Sequence, residues 1–187
     1  LLKLVQGSFV EGWDDPRMPT LAALRRRGYR PSAIRLFVNR LGFTKTNART
    51  DLGLLEASVR DDLNHVAPRV MAVVDPVRLT IDGGTTDEFG TREASLWPHD
   101  VPNEGARPLS LGREVWIERS DVSVDAPRGW KRFAPGAVIR LRHGPVVHCD
   151  AIDVDDAGIV TSLRAHVIGS DVANRKVAGV VHWVDVA

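Results

Sequence analysis

The spacing of the apolar residues changes near Pro68, and this change constrains the fold more than any other feature of the sequence. Before Pro68, apolar side chains recur every three or four residues, which is the period of an amphipathic helix. One such stripe consists of Ile34, Phe37, Val38 and Leu41. After Pro68, apolar side chains recur at every second residue, which is the period of a half-buried strand. One such run consists of Val77, Leu79 and Ile81. The sequence therefore predicts helices followed by strands, with a boundary between residues 67 and 68.

A stiff connection lies early in the helical region. Residues 12–20 read Gly-Trp-Asp-Asp-Pro-Arg-Met-Pro-Thr, and each proline disfavours the helical conformation in the residue before it. This stretch is therefore predicted to be extended and to lead into a helix. The expected helices are a brief one ending at Gly7, then 20–27, 31–41 and 51–66.

The remainder of the chain is predicted to consist of short strands separated by turns that contain glycine or asparagine. The expected strands are 69–82, 92–97, 113–118, 137–142, 145–154, 159–168 and 177–185. Many short strands with regular turns are typical of a β-barrel or a sandwich. The predicted class is α+β, mainly β overall.

The composition bears on nucleic-acid binding, disulfide bonds and membrane insertion. The formal net charge is +1, so any affinity for nucleic acid must come from a local cluster of cations. Cys149 is the only cysteine, which excludes an internal disulfide and favours a reducing, cytoplasmic location. No apolar run is long enough to span a bilayer. Because the first residue is Leu1 and both ends fall within a pattern, we expect a fragment of a longer protein.

The sequence contains no complete set of catalytic residues. His143 and His148 are five residues apart, with no third ligand at a suitable spacing, so no metal site is expected. Cys149 lies in an apolar run and is interpreted as a core residue and not as a nucleophile. We therefore assign no catalytic residue to this chain.

Four cations in the strand region allow two interpretations. Arg140 and Arg142 are two residues apart on a predicted strand, and Lys131 and Arg132 follow Trp130 just upstream. Guanidinium groups can bond and stack on unpaired bases, and a tryptophan adds a stacking surface, which favours RNA binding. The other interpretation is a solvated strand face whose cations pair with acidic residues. The candidate acidic partners are Glu114, Glu118 and Asp121.

Several stretches resemble the glutaminyl-tRNA synthetase family of class I aminoacyl-tRNA synthetases. They are Gly-Trp-Asp-Asp-Pro-Arg-Met-Pro-Thr at 12–20, Arg-Asp-Asp-Leu-Asn at 60–64, Val-Val-Asp-Pro-Val at 73–77, Glu-Val-Trp-Ile-Glu-Arg at 114–119 and Val-Val-His-Trp-Val at 180–184. The resemblance implies a small helical connector in residues 1–67, followed by two antiparallel β-barrels in residues 68–187 that bind the anticodon and are incomplete at the carboxyl end. It also implies that the nucleotide-binding fold precedes Leu1.

The resemblance implies a function for the whole enzyme and a narrower one for this part. The whole enzyme would ligate glutamine to its tRNA, with ATP and Mg²⁺ as cofactors that this fragment is not expected to bind. The partners would be glutamine tRNA isoacceptors, with glutamine and ATP bound by the absent catalytic domain, and the protein would be a cytoplasmic monomer. The alternatives are a eukaryotic-type glutamyl-tRNA synthetase, which shares the Gly-Trp-Asp-Asp-Pro-Arg core, a non-catalytic RNA-binding module and a protein-interaction barrel.

The resemblance also implies which residues contact tRNA, and it favours the RNA interpretation of the four cations. Residues at the inner corner of the tRNA would be Lys45, Thr46, Asn47 and Asp51. Residues at the anticodon would be Arg69 at the middle base, Arg132 with Lys131 at the third base, and Arg140 and Arg142 near the first base. Gly129 stands where the family can have a glutamine that helps to read the middle base.

Overall fold

The computed structural model describes residues 1–42, 45, 49–102, 104–169 and 176–186. Within these ranges, helices come first and strands follow, and the predicted α+β class with mainly β content is confirmed. The helices are α1 (Leu2–Gln6), α2 (Leu21–Arg26), α3 (Pro31–Leu41) and α4 (Leu52–Asn64). The strands are β1 (Pro76–Asp82), β2 (Gly90–Ser95), β3 (Ala106–Leu111), β4 (Glu114–Glu118), β5 (Val138–Leu141), β6 (Val146–Val154), β7 (Val160–Val167), β8 (Gly179–Val181) and β9 (Val184–Asp185).

The chain divides into two compact units. The first comprises Leu1–Pro68 with Trp97–Asn103, and the second comprises Arg69–Leu96 with Glu104–Ala187. The change of apolar period at Pro68 therefore coincides with a change of unit, while a short later segment joins the helical unit.

Local chemistry sets where the helices begin. The Thr20 hydroxyl accepts a hydrogen bond from the Ala23 amide over 3.1 Å, and α2 starts at the next residue. The Asp51 carboxylate does the same for the Gly53 amide over 3.0 Å, so Asp51 caps α4 and the helix begins one residue later than predicted. Residues 12–19 form neither a helix nor a strand, but the extended conformation predicted for them is wrong. The Asp15 amide donates to the Gly12 carbonyl over 3.3 Å and the Met18 amide donates to the Asp15 carbonyl over 2.8 Å, so the stretch consists of turns.

The second unit contains a seven-stranded sheet in the order β8-β5-β6-β7-β1-β4-β9 and a two-stranded sheet of β2 and β3. Four of the six pairings in the larger sheet are antiparallel, and the pairs β1–β7 and β5–β8 are parallel. One face of the strands supplies a continuous apolar core. Its largest fully buried side chains include Trp183, Phe133, Leu79, Ile81, Leu111 and Ile117.

Strand β1 begins seven residues later than the alternating pattern predicts. Residues 69–75 alternate like a strand, but Pro76 has no amide hydrogen. The Glu118 carboxylate accepts hydrogen bonds from the amides of Val74 and Asp75, each over 2.9 Å. These two hydrogen bonds lower the pKa of Glu118. The side chain thus takes the amides that a strand partner would have used.

Two further differences concern strands that the sequence pattern did not resolve. Strand β3 was not predicted, because Pro108 interrupts it and it pairs only with β2. The predicted strand 177–185 is two strands, β8 and β9, separated by His182 and Trp183. Trp183 is fully buried between them.

No described helix has both the length and the apolar composition needed to cross a bilayer.

Candidate RNA-binding surface

Strand β8 borders three of the four predicted hairpin cations. Arg140 pairs with Val180 in the parallel ladder between β5 and β8, and the Arg142 amide donates to the Val181 carbonyl over 2.9 Å. At the other end of β8, a Cβ on Gly179 would overlap the carbonyl oxygen of Lys131, so the two backbones are in direct contact. The structure therefore brings Lys131, Arg140 and Arg142 together along one short strand.

Arg140 and Arg142 have different local settings. Arg140 is an exposed residue of β5, between the buried Ile139 and Leu141. The strand ends at Leu141. Arg142 is therefore the first residue of the following turn, whereas it was predicted to be the last residue of the strand. His143, next in this turn, has φ of 60°. Burial and the charges of Arg142 and Arg107 lower the pKa of His143, which favours its neutral form near the cations.

Lys131 and Arg132 line an open pocket of about 410 Å³. Its lining residues are Ser120, Asp121, Gly129, Trp130, Lys131 and Arg132. The Trp130 indole donates to the Phe133 carbonyl over 3.0 Å, which fixes the ring at the pocket. Pockets that combine an aromatic face with cations are typical of sites for unpaired bases.

Arg132 is the one member of this group that forms an ion pair among the described residues. Its Nε donates to Oδ1 of Asp121 over 2.9 Å, and its side chain is 42% exposed. A second donor, Nη1, bonds the Lys131 carbonyl over 3.2 Å. The pair orients the guanidinium and leaves part of it open to solvent.

The acidic partners suggested by the salt-bridge interpretation are mostly engaged elsewhere. Glu118 holds backbone amides, and Glu114 lies 3.6 Å from Arg78. Of these three carboxylates, Asp121 forms an ion pair with a described hairpin cation, Arg132. In the part of the chain that the structure describes, no carboxylate lies within ion-pair distance of the three other cations, Lys131, Arg140 and Arg142. Their charges are available to a ligand.

Gly129 has a backbone conformation that other residues rarely adopt. Its φ is 87°, in the left-handed region. A glutamine at this position would be strained, so the family's glutamine contact has no counterpart in the local conformation seen here.

The remaining predicted site residues are placed as follows. Arg69 is exposed and lies in the segment before β1, where its amide donates to the Leu96 carbonyl over 2.7 Å. Lys45 is exposed and Asp51 caps α4. Thr46 and Asn47 lie outside the described residues.

Asp15 is a buried carboxylate whose role is structural. It is 2% exposed and accepts hydrogen bonds from the Glu11 amide and from the Arg17 amide, each over 3.0 Å. The Arg17 guanidinium adds two more, over 2.9 and 2.7 Å. The side-chain bonds from Arg17, followed by the two amides, hold the pKa of Asp15 far below its usual range. This network shapes the Asp-Asp-Pro-Arg stretch from within.

The structure also assembles a cluster that sequence reasoning missed. His148 and Asp150 on β6 meet His166 on β7, and their ligand atoms all lie within 4.8 Å of one another. Sequence spacing points to His143 as the histidine nearest to His148 in the chain, and it predicts no metal site there. The strand register that places His166 opposite His148 leaves no local trace in the sequence.

Comparisons with known proteins match the strand region and the helical region to two models of one class. Residues 67–168 match the family model described as "tRNA synthetases class I (E and Q), anti-codon binding domain", and the chain belongs to this family. Residues 1–65 match the model described as the catalytic domain of the same class.

Within the family, the chain is similar to bacterial proteins named glutamine–tRNA ligase. It is 45% identical to the one from Deinococcus radiodurans over 204 aligned residues, which cover 98% of this chain and 23% of that protein. It is 44% identical to the one from Ralstonia pickettii, over 100% of this chain and 33% of that protein. It is 41% identical to the one from Chromobacterium violaceum, over 98% of this chain and 33% of that protein. The chain thus spans between 23% and 33% of the length of these curated relatives.

Proposed function

We propose that this chain is the tRNA-binding part of a glutamine–tRNA ligase, with the anticodon bound by residues 68–187. The observation that carries the proposal is the group of exposed cations beside β8, Lys131, Arg140 and Arg142. All three lie within residues 67–168, which match an anticodon-binding family. Clustered cations attract the phosphate backbone, and base selection adds to that attraction through guanidinium contacts.

Each cation has a role that follows from its setting. Lys131, Arg140 and Arg142, which have no carboxylate partner among the described residues, can bind phosphates or splayed bases near the first and third anticodon positions. Arg132 is oriented by Asp121, so its remaining guanidinium edge can read a base in a fixed direction. Arg69 is assigned to the middle base. Residues 1–67 would serve as the helical connector, with Lys45, Thr46, Asn47 and Asp51 at the inner corner of the tRNA.

The complete protein would use ATP and Mg²⁺ to activate glutamine before transfer to the tRNA. Among the described residues, the one group of three close metal ligands contains two imidazoles, whereas Mg²⁺ prefers oxygen ligands, so this group does not suit Mg²⁺. We assign no step of ATP chemistry to this chain. We further propose that the complete protein is a cytoplasmic monomer.

The test compares two tRNAs, one with the glutamine anticodon and one altered at the middle base only. We expect the chain to bind the altered tRNA more weakly by roughly 1–3 kcal/mol, as measured by a fluorescence titration at fixed salt. Equal affinity for the two would contradict anticodon reading.

A matched pair of variants locates the effect. Arg69→Ala should bind both tRNAs with the same, reduced affinity. Arg78→Ala removes an exposed arginine of β1 that pairs with Glu114. This variant should still bind the tRNA with the glutamine anticodon more tightly than the altered tRNA. Loss of the preference in both variants would exclude Arg69 as the reader of the middle base.

The family model covers both E and Q members, so the amino acid used by the complete protein is a separate question. Its rate of ATP-dependent activation with glutamine and with glutamate decides between the two ligases.

A further inference from the structure

A pair of histidines and an aspartate lie on the face of the large sheet that points away from its main core. His148 and Asp150 belong to β6. His166 belongs to β7 and pairs directly with His148 in the ladder between the two strands. The residues that alternate with them, Cys149 and Ala165, are fully buried in the core. The three polar side chains therefore share the opposite face.

A β-bulge places the carboxylate between the two imidazoles. In the ladder, Cys149 pairs with Ala165 and Ala151 pairs with Arg164, so Asp150 is the extra residue of the bulge. Its Oδ1 lies 2.9 Å from Nδ1 of His148 and 2.8 Å from Nδ1 of His166. A regular strand would have paired Asp150 with a residue of β7, and the bulge frees it instead.

We propose that His148, Asp150 and His166 bind a divalent transition-metal cation such as Zn²⁺, with both Nδ1 atoms and one carboxylate oxygen as ligands and water at the remaining position. This site goes beyond the proposed tRNA-binding function. Two imidazoles with one carboxylate are a ligand set that Zn²⁺ and its neighbours use in proteins.

The distances suit such an ion. Ligands about 2.0–2.1 Å from a tetrahedral Zn²⁺ lie roughly 3.3 Å apart. The Asp150 Oδ1 lies 2.8–2.9 Å from each Nδ1, so each of these two pairs needs to separate by only a few tenths of an ångström. All ligand atoms lie within 4.8 Å of one another. Each imidazole would bind through Nδ1 and carry its proton on Nε2. The two rings already face each other, with centroids 5.1 Å apart.

The surroundings are dry on one side and open on the other. Val138 pairs with His148, and Val146 and Ile168 are the next residues on this face, so a small apolar cluster flanks the imidazoles. The side chains of His148, Asp150 and His166 are 25%, 40% and 43% exposed, which leaves a path for an ion.

Two of the described cations on this face, Arg164 and Arg140, belong to β7 and to β5 next to β6, and neither prevents binding. Arg164 lies 3.9 Å from Asp153, which partly neutralises it. Arg140 stands on β5 beside Val146 and not beside either histidine. A bound cation would add charge near Arg140 and would link β6 to β7 through side chains.

The test is calorimetric titration of the full chain with Zn²⁺ in a buffer that does not chelate metal. We expect one ion per chain, and the tetrahedral visible absorption spectrum when Co²⁺ replaces Zn²⁺. Loss of a group that only orients a metal ligand lowers metal affinity roughly 10–100-fold. We expect at least this loss of Zn²⁺ affinity in each of the three ligand variants, His148→Ala, Asp150→Asn and His166→Ala. Mg²⁺ should not bind with comparable affinity.

Two control variants keep the proposal open to refutation. His99→Ala removes an exposed histidine outside the cluster, and Asp153→Asn removes a carboxylate on the same strand. Both should bind Zn²⁺ like the unaltered chain. All three ligand side chains are partly exposed, and circular dichroism tests whether the variants remain folded. Unchanged Zn²⁺ affinity in the folded ligand variants, or no stoichiometric Zn²⁺ binding by the unaltered chain, would overturn the site and leave a histidine–aspartate hydrogen-bond network.

Discussion

The indole Nε1 of Trp183 donates a hydrogen bond to the carbonyl oxygen of Arg142 over 2.9 Å. The donor belongs to a fully buried side chain between β8 and β9, and the acceptor begins the turn after β5. One bond thus ties a predicted anticodon residue to the core of its unit.

Trp183→Phe tests this tie, because phenylalanine keeps an aromatic ring but has no donor. We expect the free energy of unfolding to fall by about 1–3 kcal/mol, since the Arg142 carbonyl loses its partner. Affinity for tRNA should fall as well, because the turn is no longer held. Urea unfolding and a tRNA titration measure the two effects. Trp116→Phe is the matched control on β4 and should leave tRNA affinity unchanged, and an equal loss of affinity in both variants would argue against a specific role of the turn.

Arg132→Ala tests base reading in the pocket beside Trp130. The variant should lose roughly 1–3 kcal/mol of tRNA binding energy and should discriminate less at one anticodon position. Binding titrations with tRNAs altered at single anticodon bases provide the measurement. Arg164→Ala is a suitable control, because it removes an exposed arginine that also has an aspartate partner. If Arg132→Ala weakens the binding of every tRNA to the same extent, Arg132 contacts phosphate and not a base.

Asp15→Asn tests the buried carboxylate of the Asp-Asp-Pro-Arg stretch. Because the folded-state pKa of Asp15 is lowered, the charged form stabilises the fold at pH values above the ordinary pKa of 3.8. That contribution is lost as the pH falls below this value towards the folded-state pKa. The asparagine variant should therefore be less stable at neutral pH, and the difference from the unaltered chain should shrink in acid.

Unfolding followed by the helical circular dichroism signal at several pH values measures the effect of Asp15→Asn. Asp14→Asn serves as the control, because the Asp14 side chain is 60% exposed and its ion pair with Arg26 is long, at 3.7 Å. A stability difference for Asp15→Asn that does not vary with pH would show that the carboxylate charge is not responsible.

Cys149 should be nearly inert in the folded protein. Burial and the neighbouring Asp150 charge raise the pKa of its thiol from 9.0 to about 11, so the thiolate fraction falls about a hundredfold at neutral pH. Its lack of solvent exposure slows labelling further. Reaction with a thiol-specific disulfide reagent should be slow in buffer and fast in denaturant, and fast labelling of the native chain would disprove this burial.

The predicted helices and most predicted strands are present because their signals are local. The stripe from Ile34 to Leu41 and the alternation from Val77 to Ile81 are set by residues a few positions apart, and the elements follow from them. The failures are equally specific. The strand expected from residue 69 begins only at Pro76, because Glu118, more than forty residues away, takes the amides of Val74 and Asp75.

By itself, the sequence determined the order of helices and strands, the change of period at Pro68, and which cations are candidates for RNA. Tertiary structure alone decided which groups meet. It placed β8 beside β5, paired Arg132 with Asp121, and set His166 opposite His148. The physical reason is that periodicity reports which face of an element is buried, whereas the choice of neighbouring strand depends on pairing and loop closure between distant residues, and neither leaves a pattern in the local sequence.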